Sequence, residues 1–177
     1  MGRTAGFSPL VPHRRYCQGA PGLSHADMER LKRLDQIHTD PPLYFITACT
    51  HERAPILANG PLHAVFREFC LSAKGRGVLV GRYVLMPDHL HLFVCLPPGP
   101  MTLSAWIKSL KNTLSKQWRH AGIRSPHWQK GFFDHLMRNH ESEAEKWLYV
   151  RENPVRAGLC QHADEWPYAG EILPFVR

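Results

Sequence analysis

His89 and His91 flank a single apolar residue in the stretch Pro87-Asp88-His89-Leu90-His91-Leu92-Phe93-Val94. On a β-strand, residues i and i+2 point to the same face, so the two imidazoles project together while Leu90, Leu92 and Val94 face the other way. Two imidazoles side by side can share one divalent metal, although the same spacing also fits an exposed pair on a half-polar strand. Farther along, Tyr149 precedes Asn153 by four residues, which places both on one face of a helix. Pro154 disfavours helical geometry at Asn153. That residue therefore either N-caps a short helix through Pro154–Ala157 or points its amide into a site. A mid-helix tyrosine also has an ordinary reading, its ring buried and its hydroxyl at the rim.

The elements that would position these residues can be read along the chain. Residues 1–40 form an N-terminal extension, rich in Pro and Gly at first, with Ser24 as the cap of a short amphipathic helix. Asp40-Pro41-Pro42 breaks the chain, and residues 41–177 form the main domain. Leu43–Thr50 is dense in aromatic and β-branched residues and predicts a first strand. Pro61–Lys74 has helical spacing and is stopped by Gly75 and Gly77. Val78–Met86 and His89–Leu96 predict a hairpin closed by Pro87-Asp88. Thr102 caps a second helix with the apolar stripe Leu103, Trp106, Ile107, Leu110, Leu114 and Trp118. Phe132–Met137 predicts a fourth strand, and Ser142 with Glu145 forms a capping box for the helix that carries Tyr149. The order strand, helix, strand, strand, helix, strand predicts an α+β fold. It is the ferredoxin-like βαββαβ antiparallel sheet, with an added C-terminal tyrosine-bearing helix. A fold alone assigns no function.

Composition narrows the classes. The chain of 177 residues is 44% hydrophobic and 21% charged, values of a soluble globular protein. No apolar run approaches the ~18 residues that span a bilayer, and no signal-peptide core is present, so the expected location is cytoplasmic with no membrane partner. Five cysteines, odd in number and never spaced C-x-x-C, argue against a disulfide framework or a zinc knuckle. The net charge is +7, and no acidic residue stands between Asp88 and Asp134. That stretch holds Lys108, Lys111, Lys116, Arg119, Arg124 and Lys130, which predicts a surface facing a polyanion.

Met86-Pro87-Asp88-His89-Leu90-His91-Leu92, followed by Tyr149-Val150-x-x-Asn153-Pro154-Val155-x-Ala157-Gly158-Leu159, resembles the single-tyrosine HUH transposases. Within them it is most similar to the REP-associated tyrosine transposases of bacteria. Trp128-Gln129-x-Gly131-Phe132-x-Asp134-His135 and Tyr44-Phe45-x-Thr47-x-x-Thr50-His51 resemble further segments of that family, and the likeness covers roughly residues 43–170. The resemblance implies a metal-dependent endonuclease and strand transferase. It would cleave and rejoin single-stranded or REP-like hairpin DNA through a covalent 5′-phosphotyrosine. It implies Tyr149 as nucleophile and His89, His91 and Asn153 as ligands of Mg²⁺ or Mn²⁺. Imidazole favours Mn²⁺ in intrinsic affinity, and abundance can still select Mg²⁺; zinc is the competitor from ligand chemistry alone. Lys108, Lys111, Lys116, Arg119 and Arg124 are expected to meet DNA phosphates, and the protein is expected as a monomer or a homodimer. The alternative is a non-catalytic module that binds single-stranded nucleic acid on the same fold.

Overall fold

The computed structural model describes residues 41–137 and 143–175. The expected N-terminal extension, its Ser24-capped helix and the Ser142 capping box lie outside the described residues. Strand β1 spans Leu43–Cys49, α1 Gly60–Ala73, β2 Leu79–Leu85, β3 His89–Cys95 and α2 Leu103–His120. Strand β4 spans Phe133–Leu136, α3 Glu143–Arg151, α4 Asn153–Arg156 and β5 Ala169–Glu171. Both long helices start where a polar side chain meets an orphan donor. The Asn59 side chain accepts the Leu62 N–H, and the Thr102 hydroxyl oxygen accepts the Ala105 N–H. After α1 the chain turns at Gly77, whose φ of +77° suits a residue without a Cβ.

The strands form one antiparallel sheet in the order β4-β1-β3-β2-β5. Its first four members have the predicted ferredoxin-like arrangement. The fifth is an addition that sequence periodicity does not announce. Ala169–Glu171 is three residues long and polar in pattern, and it is fixed by its partner: Arg82 pairs with Glu171, Tyr83 with Gly170 and Val84 with Ala169. The Trp166 indole N–H donates to the Leu85 carbonyl at 2.9 Å and fastens the same segment.

The sheet divides its side chains between two clusters. On one face Ile46, Leu90, Leu92, Val94 and Tyr83 pack with Phe66 and Cys70 of α1 and with Trp106, Leu110, Leu114 and Trp118 of α2. On the other, Leu43, Phe45, Val84 and Phe93 pack with Met137 and with Val150 of α3. The alternation predicted for β3 therefore holds: Leu90, Leu92 and Val94 are sealed under the helices, and His91 belongs to the opposite face, where its ring stacks on Phe45 at 5.4 Å. Directly opposed residues in an antiparallel pair share a face. The register thus sets Phe133, Thr47, His91 and Val84 in one row across four strands.

Candidate active site

The histidine pair begins at a turn that the fold holds from outside. The Met86 N–H donates to the His89 carbonyl at 2.8 Å and closes the turn over Pro87-Asp88. The Asp88 carbonyl accepts from both the backbone N–H and the hydroxyl of fully buried Thr50, each at 2.9 Å. The Pro87 carbonyl accepts the Leu57 N–H at 2.8 Å. Beside it, Glu52 and Arg53 both have left-handed backbones, with φ of +50° and +59°. That conformation costs energy for residues with a Cβ and persists where neighbours enforce it. It delivers the Arg53 guanidinium to Asp88, Nε to Oδ2 at 2.8 Å.

Each imidazole is oriented through Nδ1. His89 Nδ1–H donates to Asp88 Oδ1 at 2.6 Å, and His91 Nδ1 lies 2.8 Å from Thr47 Oγ1. With Nδ1 engaged on both rings, Nε2 is the nitrogen left to ligate, the arrangement that orients histidines around metals. The ring centroids are 4.8 Å apart. Burial, followed by the charges of His89, Arg53 and Arg156, holds the His91 pKa well below the ordinary imidazole value, so the ring is neutral and its lone pair available. Burial alone would raise the Asp88 carboxyl. The His89 hydrogen bond and the fields of His89 and Arg53 outweigh it and keep Asp88 an anion. Among the described residues no group of three His, Cys, Asp or Glu side chains converges. A third protein ligand would have to be an amide such as Asn153, with water or phosphate oxygens completing a hard cation's shell. Two imidazoles and oxygen donors fit Mg²⁺ or Mn²⁺.

Helix α3 packs on the same face. Val150 is buried in the Phe45 cluster, and the Lys146 ammonium lies 5.2 Å from the Phe45 ring that stacks on His91. Tyr149, between them, remains 45% exposed. The Arg156 guanidinium stands 4.2 Å over the Tyr149 ring and donates to the Tyr149 carbonyl at 2.8 Å. It also donates to the Asn153 amide oxygen. Asn153 thus departs from the predicted cap: it is the first residue of α4, the cap position falls on Glu152, and no side chain caps it. Its amide faces Arg156 instead. An amide oxygen has two lone pairs, of which the guanidinium takes one.

The family described as "Transposase IS200 like" matches residues 43–153, which carry every element named so far except α4 and β5. The chain belongs to this family. An IS200-like transposase is an enzyme of the DNA strand-transferase class, and transposition of DNA is its business. A candidate REP-associated tyrosine transposase of Haemophilus influenzae is 29% identical over 144 residues, covering 72% of this chain and 78% of its own length. The REP-associated tyrosine transposase of Escherichia coli K12 is 29% identical over 96 residues, 54% of this chain and 56% of its own. A solved structure of a REP-associated tyrosine transposase bound to a REP hairpin superposes with a TM-score of 0.57 at 22% identity. It covers 79% of this chain and 92% of that one, and it supports the fold.

In this IS200-like transposase the basic residues of α2 lie on the far face of the sheet from His91. Lys108, Lys116 and Arg119 are exposed, as is Arg124 just beyond the helix. Lys111 departs from the expected phosphate contact. Its ammonium donates to the Gln129 carbonyl at 3.1 Å and to the Gly131 carbonyl, and it lies 5.4 Å from the Trp128 ring. It pins the segment that leads into β4. A groove of about 320 Å³ beside it is lined by Ser104, Lys108, Asn112, Trp128, Gln129 and Phe132, among others. Sequence reasoning missed Thr47, Arg53 and Arg156 as site residues. Asp88 stood in the quoted motif but was read only as a turn residue. No described helix is long and apolar enough to cross a membrane.

Proposed function

We propose that this transposase cleaves and rejoins single-stranded or hairpin DNA through a covalent bond between Tyr149 and a 5′-phosphate. The observation that carries the reading is the pair of ring nitrogens, Nε2 of His89 and His91, left available by the Nδ1 hydrogen bonds on the face where the tyrosine helix packs. In cleavage, Tyr149 Oη attacks the scissile phosphorus and gives up its proton. The P–O3′ bond breaks, and the 3′ oxygen takes a proton to leave as a hydroxyl. Rejoining reverses these bonds with another 3′-hydroxyl. One diester replaces another, so no outside energy source is required. A Mg²⁺ or Mn²⁺ held by His89, His91 and the Asn153 amide would polarise the phosphate and offset the charge that develops on it.

The chain's own residues prepare this exchange. Asp88 and Thr47 hold the two imidazoles in orientation, and His89, followed by Arg53, holds the Asp88 carboxyl below its ordinary pKa. Arg156 fixes the Tyr149 ring from above and joins the turn carrying Tyr149 to Asn153. The named REP association of the relatives supports a hairpin flanked by single strand as substrate. The test is cleavage of such an oligonucleotide with and without Mn²⁺. The reading expects a metal-dependent product with a free 3′-hydroxyl; binding without any cleavage would favour the non-catalytic module.

A further inference from the structure

Phe133 is an anomaly on a sheet whose other large apolar residues are covered. It is 58% exposed, at the start of β4, the edge strand beyond β1 among the described residues. Its Cα partner in β1 is Thr47, and the partner of Thr47 in β3 is His91. Opposed residues share a face, so the bare phenyl ring stands on the side of the sheet that carries the histidines. Two strand spacings separate it from His91, about 10 Å. The strand is delivered by a fixed segment: Lys111 holds the Gln129 and Gly131 carbonyls, the Trp128 indole N–H donates to the Lys111 carbonyl at 3.1 Å, and the Gln129 N–H donates to the Cys49 carbonyl at 3.0 Å. Exposed Lys130 lies three residues before it, in an acid-free stretch that ends at the neighbouring Asp134.

We propose that Phe133 is a stacking platform for one unpaired nucleobase adjacent to the scissile phosphate. This rests on the reading of His89, His91 and Tyr149 as a strand-transfer site. An extended single strand places neighbouring bases several ångströms from each phosphate, so a phosphate at the histidines leaves a base within reach of this ring. Every base has a π face, and stacking on an exposed aromatic contributes about 1–3 kcal/mol per base without reading sequence. Phe133 also marks where a strand could pass round the β4 edge, from the basic α2 face to the catalytic face. A second copy of this chain pairing along β4 is the other occupant such an edge could take.

The test measures binding of the full-length chain to a single-stranded oligonucleotide that wild type cleaves, alongside a series with one abasic position moved along it. Phe133→Ala is expected to weaken binding roughly five- to 150-fold, the range that the stacking energy implies. Phe133→Trp should restore binding, and Phe133→Leu, equally apolar but without a π face, should not. One abasic position beside the cleavage site should cost wild type a similar factor and cost Phe133→Ala nothing further. Equal binding by wild type, Leu and Ala variants overturns the platform. So does a Phe133→Ala variant that changes from dimer to monomer with unaltered single-strand affinity. A wild type that binds the strand yet never cleaves it overturns the strand-transfer reading instead.

Discussion

On one side of the sheet, Ile46, Leu90, Leu92 and Val94 are closed under two long helices. On the other, the same strands present Thr47, His91 and Phe45 to a short helix that leaves Tyr149 half exposed. Adjacent residues on one strand thus serve opposite ends. Leu92 is surrounded by apolar atoms, whereas His91 next to it keeps a ring nitrogen for chemistry while Thr47 and Phe45 hold the ring. A strand alternates its faces with period two, so stability and reactivity can be carried by alternate residues of one segment without interfering. The comparison predicts that the two faces fail differently.

The sharpest contrast pairs Phe66→Ala with His91→Ala. Phe66 is fully buried under the helices, and its truncation should cost about 3–5 kcal/mol in a denaturant titration. His91→Ala should lose much less stability and lose metal-dependent cleavage altogether; His89→Ala should behave likewise. If the histidine variants unfold as readily as Phe66→Ala while the remaining folded protein still cleaves, the division between the faces is wrong.

Asp88→Asn tests the orientation of His89 more gently. The amide is nearly isosteric but loses the charge that accepts the His89 Nδ1–H and pairs with Arg53. Outer partners of this kind are worth roughly 10–100-fold in metal affinity. Titration of Mn²⁺ into the activity assay should shift by that factor with little change in melting temperature. An unchanged titration would remove Asp88 from the site.

Acid should strike both faces. His63 accepts the Tyr83 hydroxyl proton while Arg67 donates to the same oxygen at 2.9 Å; burial, then the Arg67 charge, lowers the His63 pKa. His91 is lowered further, by burial and then by His89, Arg53 and Arg156. For both, the unfolded chain binds more protons just below the ordinary value of 6.5, so stability is whole above that pH and is lost as pH falls beneath it. Asp88, shifted down, adds a second loss only at lower pH, through the carboxylate range. Denaturation midpoints between pH 8 and 5 should decline below about 6.5, and His91→Ala should flatten the decline most. A level profile in wild type would contradict the burial of these rings.

The smallest effect is expected from the basic helix. Lys108→Ala with Arg119→Ala removes two exposed cations, each releasing about 0.7 counterion on single strands. The slope of log K against log salt should fall by roughly 1.4 units, equally for unrelated sequences. Lys111→Ala should instead cost stability, because its ammonium is tied to backbone carbonyls.

The strands and long helices were legible in the sequence because their apolar residues recur with periods that survive without a partner. The His89/His91 pairing was legible for the same reason; the helix carrying Tyr149 was marked instead by the capping signal of Ser142 and Glu145. What was hidden depends on residues far apart in the chain. Thr47 meets His91 only through strand register, and Arg53 meets Asp88 through two left-handed residues that no propensity favours. Arg156 meets Tyr149 because α4 follows α3 so closely. Of the two readings open for Asn153, the cap fails: Glu152 keeps right-handed helical angles, and Pro154 sits within the first turn of α4, where its missing N–H costs nothing. Strand β5 has no periodicity to read and exists through its pairing with β2.

The central claim is that a phosphodiester is transferred to Tyr149. The direct measurement is mass spectrometry of protease-digested protein after reaction with single-stranded DNA and Mn²⁺ under denaturing quench. The account predicts a nucleotide joined through its 5′-phosphate to the peptide containing Tyr149. The adduct should be absent in Tyr149→Phe, although that variant should bind DNA nearly as wild type does. Cleavage at undiminished rate by Tyr149→Phe, or an adduct on any other residue, would contradict it.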